Sequence, residues 1–132
     1  MEQPRYLIDT NAVIDYLGKK LPSDSMQFMH SIIDAIPNVS VITKIEVLGY
    51  NAPEEHTSLL TSFMSDAMVL DLSPEIVDIC IEIRKKYKTK LPDAIIASTA
   101  LAFDLTLITH NISDFKNIEK LPVIDSYALK SD

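Results

Sequence analysis

The chain has 132 residues, 47% of them hydrophobic and 23% charged, which is the balance of one ordinary globular domain and not of a disordered chain. A formal net charge of -7 argues against non-specific binding to nucleic acid through a broad basic face, while leaving room for contact through bound cations and a local basic rim. The two glycines, Gly18 and Gly49, cannot make a glycine-rich phosphate loop, and the single cysteine, Cys80, excludes an internal disulfide and a cysteine-based zinc site.

The start, Met1-Glu2-Gln3-Pro4-Arg5, has neither the basic opening nor the long apolar stretch of a secretory leader. No apolar run is long enough to cross a bilayer. The expected setting is therefore the reducing cytoplasm.

Tyr6-Leu7-Ile8 reads as a short buried strand, followed by Asp9-Thr10-Asn11 with the chemistry of a helix cap. Ala12 to Leu17 is apolar at helical spacing and stops at Gly18. Pro22 and Ser23 open a second helix, whose apolar positions Met26, Met29, Ile33 and Ile36 recur at helical spacing before Pro37. Val39 to Ile42 is a second strand. Thr43-Lys44-Ile45-Glu46 fits a capping box and starts a helix through Val47 and Leu48.

Pro53 opens a fourth helix carrying Leu59, Leu60, Phe63 and Met64, and Met68 to Leu72 is a third strand. Ser73-Pro74-Glu75 combines a cap, a first-position proline and an acid, a strong helix start. The buried stripe of that helix is Ile76, Ile79, Cys80, Ile83 and Tyr87, and the Arg84–Lys88 run supplies cations to its C-terminus. Pro92 begins an alanine- and isoleucine-rich helix from Asp93 to about Phe103, buried on most sides. Leu105 to Ile108 and Pro122 to Ile124 complete the strands. Strands that alternate with helices imply a three-layer α/β/α domain around a mostly parallel sheet of about five strands, one domain over 1–132.

Ligands of open parallel sheets bind beyond the carboxyl ends of the strands. The sequence places Asp9 after the first strand, Glu46 after the second, and Asp114 shortly after the fourth, with Asp93 heading the helix that feeds the fourth. Each has a structural use: Asp9 as a cap, Glu46 as the partner of Thr43, Asp93 at a helix N-terminus, Asp114 in a turn. Gathered at one edge, however, four carboxylates repel one another and call for protons or a cation. Mg²⁺ or Mn²⁺ suits an all-oxygen site.

The motifs resemble those of PIN-domain proteins. Leu7-Ile8-Asp9-Thr10-Asn11-Ala12-Val13-Ile14 is similar to the opening motif, and Ser40 to Val47 to the second, which ends in the helical Glu46. Leu91-Pro92-Asp93-Ala94-Ile95-Ile96-Ala97 resembles the third, and Leu107 to Phe115 the last. The likeness runs in order from residue 6 to about 125 and is greatest to the VapC-type toxins of toxin–antitoxin pairs.

It implies a Mg²⁺- or Mn²⁺-dependent endoribonuclease with Asp9, Glu46, Asp93 and Asp114 as the acidic, metal-binding tetrad. Asp9 and Asp93 would lie nearest the ion, with Thr10, Asn11 and Thr109 as supporting hydrogen-bonding groups. It also implies an RNA substrate, a homodimer and an antitoxin partner. His110 receives no catalytic role, while Lys44, Lys90 and His110 are expected at the rim. The methionine and phenylalanine residues of the second and fourth helices serve either an interface or the core. Two other readings stay open: a catalytically silent PIN domain used for binding, and a Mg²⁺-dependent phosphatase-like protein with a phospho-accepting aspartate.

Overall fold

Parallel strands need crossover connections, and this chain supplies two helices between each successive pair of its first four strands and a short 3-10 turn before the last. In the computed structural model, which describes residues 5–130, the strands are β1 (Tyr6–Ile8), β2 (Asn38–Ser40), β3 (Met68–Leu70), β4 (Thr106–Thr109) and β5 (Val123–Asp125). The helices are α1 (Thr10–Leu17), α2 (Ser23–Asp34), α3 (Val41–Leu48), α4 (Glu54–Asp66), α5 (Pro74–Lys86) and α6 (Leu91–Ala102). Residues 1–4, read above for the absence of a leader, lie outside the described residues. The strands form one sheet in the order β3-β2-β1-β4-β5, every neighbouring pair parallel.

Side chains alternate across a strand, so adjacent residues feed opposite cores. Leu7 and its register partner Leu107 face a core built with Ile83 of α5 and Ile95, Ile96 and Ala97 of α6, closed below by Phe115. Ile8 and its partner Ile108 face the other, with Val13, Met29, Phe63 and Met64. Helices thus cover both faces, giving a three-layer α/β/α domain. The methionines and phenylalanines of α2 and α4 belong to the second core: Met29, Phe63 and Met64 are buried, and Met26 and Phe28 pack against them.

Burial of α6 is nearly complete from Ala94 to Ala100. Its two polar residues there satisfy themselves locally: the Ser98 and Thr99 hydroxyls donate to the carbonyls of Ala94 and Ile95 at 2.6 and 2.7 Å.

Some boundaries differ from the sequence expectation. The second strand stops at Ser40 instead of running to Ile42, because the Ser40 side chain accepts from the Ile42 amide at 3.1 Å and caps α3 itself. Thr43 is consequently a buried residue inside the helix, and no capping box links it to Glu46. Helix α2 ends at Asp34, so Ile36 leaves the expected apolar stripe and stands exposed with φ 64°. The following proline disfavours the right-handed helical conformation at that residue, so the helix does not continue through it. Helix α5 stops at Lys86, with Tyr87 as its extended cap.

Candidate active site

The sheet order creates a particular edge. β1 has β2 on one side and β4 on the other, so the crossovers leave in opposite directions and open a crevice at the carboxyl ends of β1 and β4. Asp9 follows β1 directly and Thr109 ends β4.

Asp9 is 4% exposed and is the N-cap of α1, its Oδ1 accepting from the Thr10 amide at 2.8 Å. Its Oδ2 accepts from the Thr109 hydroxyl at 2.8 Å and from Asn11 Nδ2 at 3.0 Å. Asn11 also spans to β4, with Nδ2 donating to Thr109 Oγ1 at 3.1 Å and Oδ1 accepting from the His110 amide at 2.9 Å. The cap role proposed for Asp9 from sequence is therefore real, yet it occupies one oxygen and leaves the other held by groups from across the sheet. Burial pushes the Asp9 carboxyl above its usual range; the hydrogen bonds from Thr109, Thr10 and Asn11 pull the other way, and the charge of Glu46 adds to the rise.

Glu46, freed from capping, reaches the same edge. Its Oε1 accepts from the Thr10 hydroxyl at 2.6 Å, and the Thr10 and Thr43 hydroxyls lie 3.1 Å apart. Asp93 sits in the first turn of α6. Its carboxyl is pushed up to about 6, first by desolvation, then by the charges of Asp9 and Asp114, with Glu46 adding and Lys90 opposing. Asp114 is exposed in a short 3-10 turn (Ile112–Asp114) after β4 and shares a pocket with Asp93.

Three other elements thus bring their acids within electrostatic reach of Asp93. Among the described residues no three His, Cys, Asp or Glu side chains stand close enough to hold a metal ion as they lie. The donor set nonetheless suits a hard divalent cation. It is all carboxylate, and one member is pushed toward keeping its proton by burial first and by the negative charge of the others second.

A second network at this edge was not read from the sequence. His110 Nδ1 lies 3.0 Å from Asp125 Oδ1, which also accepts from the Tyr127 amide at 2.9 Å. The His110 ring stacks at 4.0 Å on Tyr127, whose hydroxyl donates to Asp15 at 3.1 Å. Partial burial would raise the Asp125 carboxyl, but the hydrogen bonds from His110 and Tyr127 outweigh it and hold it low. The usable signal was the strand-end position of Asp125, which β4–β5 register sets opposite Thr109. Lys44 is exposed and makes no ion pair among the described residues.

If Thr109 orients the carboxylate, its loss should matter more than its size suggests. For the RNA cleavage that the motif resemblance implies, Thr109→Val is expected to lower the rate by roughly 10–100-fold, the usual cost of removing a group that aims a metal ligand. Thr109→Ser, which keeps the hydroxyl, should recover most of the rate. Equal rates for the two variants would show that the hydrogen bond to Asp9 has no such role.

Residues 6–121 match the family model of the PIN domain, and the chain belongs to that family. Among solved structures it is similar to a chain of a toxin–antitoxin complex from Klebsiella pneumoniae, with 32% identity, TM-score 0.70, and coverage of 92% of this chain and 98% of that one. It is similar also to a chain of VapBC2 from Rickettsia felis bound to a promoter DNA fragment, at 25% identity and TM-score 0.74, covering 91% and 97% of the two chains. A DNA-bound VapBC from Salmonella typhimurium shares the fold at TM-score 0.79 and 23% identity, over 94% and 99% of the two chains. No curated protein sequence matches this chain significantly.

Proposed function

We propose that this protein is the ribonuclease toxin of a VapBC-type toxin–antitoxin pair, a Mg²⁺- or Mn²⁺-dependent enzyme that hydrolyses RNA phosphodiester bonds with water. The observation that carries the reading is the convergence of acids at the carboxyl edge of the sheet. Asp9 and Glu46 share the Thr10 and Thr109 hydrogen-bond network, Asp93 and Asp114 share a pocket, and burial first, then the charges of Asp9, Asp114 and Glu46, push the Asp93 carboxyl up to about 6. Membership of the PIN-domain family and the likeness to chains of toxin–antitoxin complexes support it.

When bound, the cation supplies Lewis-acid activation of water and positive charge opposite the scissile phosphate. Asp9 and Asp93 are the carboxylates nearest the ion in this reading, while Glu46 and Asp114 complete its surroundings or orient the attacking water. Thr10, Asn11 and Thr109 keep Asp9 and Glu46 in place through the hydrogen bonds described above. The test is direct: RNA should be cut with Mg²⁺ or Mn²⁺ present and remain intact with chelator. Intact RNA under every divalent ion supplied would leave a silent PIN domain as the answer.

The proposed partners are a cognate antitoxin and a second copy of the chain, in a cytoplasmic setting. No helix among the described residues is long and apolar enough to cross a membrane. Leu72, Val77, Ile81 and Leu91 are all exposed and border a groove of about 640 Å³, an apolar patch of the kind that marks an interface. Ile81→Glu is expected to convert a dimer into a monomer in sedimentation experiments. An unchanged sedimentation coefficient would place the interface elsewhere.

A further inference from the structure

The basic run Arg84-Lys85-Lys86-Tyr87-Lys88-Thr89-Lys90 divides into two parts with different surroundings. Helix α5 ends at Lys86, so the helix dipole accounts for Arg84, Lys85 and Lys86 in its last turn and for nothing beyond them. Those three also have partners. Arg84 Nη1 donates to the Thr89 carbonyl at 2.6 Å, Lys85 pairs with Glu82 at 3.7 Å, and Lys86 pairs with Glu119 at 3.1 Å.

Lys88 and Lys90 lie past the helix, and both are exposed. Among the described residues neither side chain makes an ion pair or a hydrogen bond, although the charge of Lys90 acts on Asp93. Both line a pocket of about 260 Å³ whose lining also includes Asp93, Ser113, Asp114 and Asn117. The segment that carries them is anchored at both sides. Arg84 holds the Thr89 carbonyl, and the Tyr87 hydroxyl accepts from the Glu119 amide at 3.0 Å. Two unpaired ammonium groups are therefore kept beside two carboxylates without being used up by them.

On a chain of net charge -7 an anionic ligand is repelled at long range, and only a local cluster of free cations offers it a foothold. The pocket has that cluster, together with neutral hydrogen-bonding groups in Ser113 and Asn117. We propose that it seats the RNA strand next to the scissile bond, with Lys88 and Lys90 pairing with the backbone phosphates. The inference rests on the ribonuclease reading and adds to it where the substrate lies.

The test uses a short single-stranded oligoribonucleotide and the full chain carrying Asp9→Asn, so that the strand stays uncut while binding is followed by fluorescence anisotropy across a salt series. Adding Lys88→Gln and Lys90→Gln is expected to weaken binding about tenfold and to flatten the slope of log K against log salt by about 1.4, the value for two phosphate contacts on a single strand. In otherwise wild-type enzyme, Lys88→Gln should raise KM severalfold with little change in kcat. Lys85→Gln, an equal change of charge on the same run, should alter neither slope nor KM.

Unchanged affinity and salt slope in the double variant would overturn the subsite, whether or not the enzyme cuts RNA. Lysine-dependent binding by a protein that cuts nothing would keep the subsite and remove the hydrolytic reading. Cleavage that is indifferent to both lysines would do the reverse.

Discussion

Asp9→Asn is expected to reduce RNA cleavage by about 10³-fold while leaving the protein folded, a loss comparable to removing a principal charge-stabilising group from an active site. The substitution preserves shape and removes one negative charge where β1 meets α1. The amide oxygen of asparagine can still accept from the Thr10 amide or from Thr109, so the α1 cap survives in part. What is lost is the carboxylate, which an all-oxygen divalent site requires. Asp93→Asn should show a loss of similar size, since both residues are assigned nearest the ion. Initial rates on a labelled RNA decide the matter; either variant retaining more than about a third of wild-type kcat would disprove that assignment.

Metal-free protein should become less stable as pH rises from about 4 to about 6, and Asp93→Asn should remove much of that slope. The folded-state carboxyl of Asp93 is pushed up to about 6 from an ordinary value of 3.8. Between those values the native protein holds a proton that the unfolded chain has released, so its stability declines with rising pH and levels off above about 6. Asp9, also raised, acts in the same direction. Asp93 is only half-buried, and solvent screening reduces the effect of its shift to roughly 1 kcal/mol.

At pH 7.5 the variant should therefore melt about 3–5 °C above wild type without metal. Added Mn²⁺ should reverse the order by stabilising wild type, by about 2.7 kcal/mol at 100 times Kd, and the variant much less. Thermal melts at pH 4.5, 6 and 7.5, with and without Mn²⁺, measure all of this. A wild-type protein whose stability rises through that pH window would contradict the repulsion inferred at Asp93.

The order and type of the elements were legible because they rest on local chemistry. Ser73-Pro74-Glu75 starts α5 as expected, with Ser73 Oγ accepting from the Ile76 amide at 3.2 Å. Boundaries failed where two local signals competed. Thr43 and Glu46 have capping-box spacing, but Ser40 lies three residues earlier at the end of β2 and takes the role. In sequence the Arg84–Lys88 run is one feature, whereas the end of α5 at Lys86 separates it into dipole-serving and pocket-lining cations.

From the amino-acid order alone came the alternation of strands and helices and the seating of Asp9 and Asp93 at helix starts, since both follow from side-chain period and cap chemistry within a few residues. Which strands lie side by side was decided only on folding. The contact of Thr109 with Asp9 joins residues 100 apart, and that of His110 with Asp125 needs β5 alongside β4. Parallel pairing of distant strands is settled by burying Leu7, Ile8, Leu107 and Ile108 between two helical layers, a property of the assembled core that no short window of sequence contains.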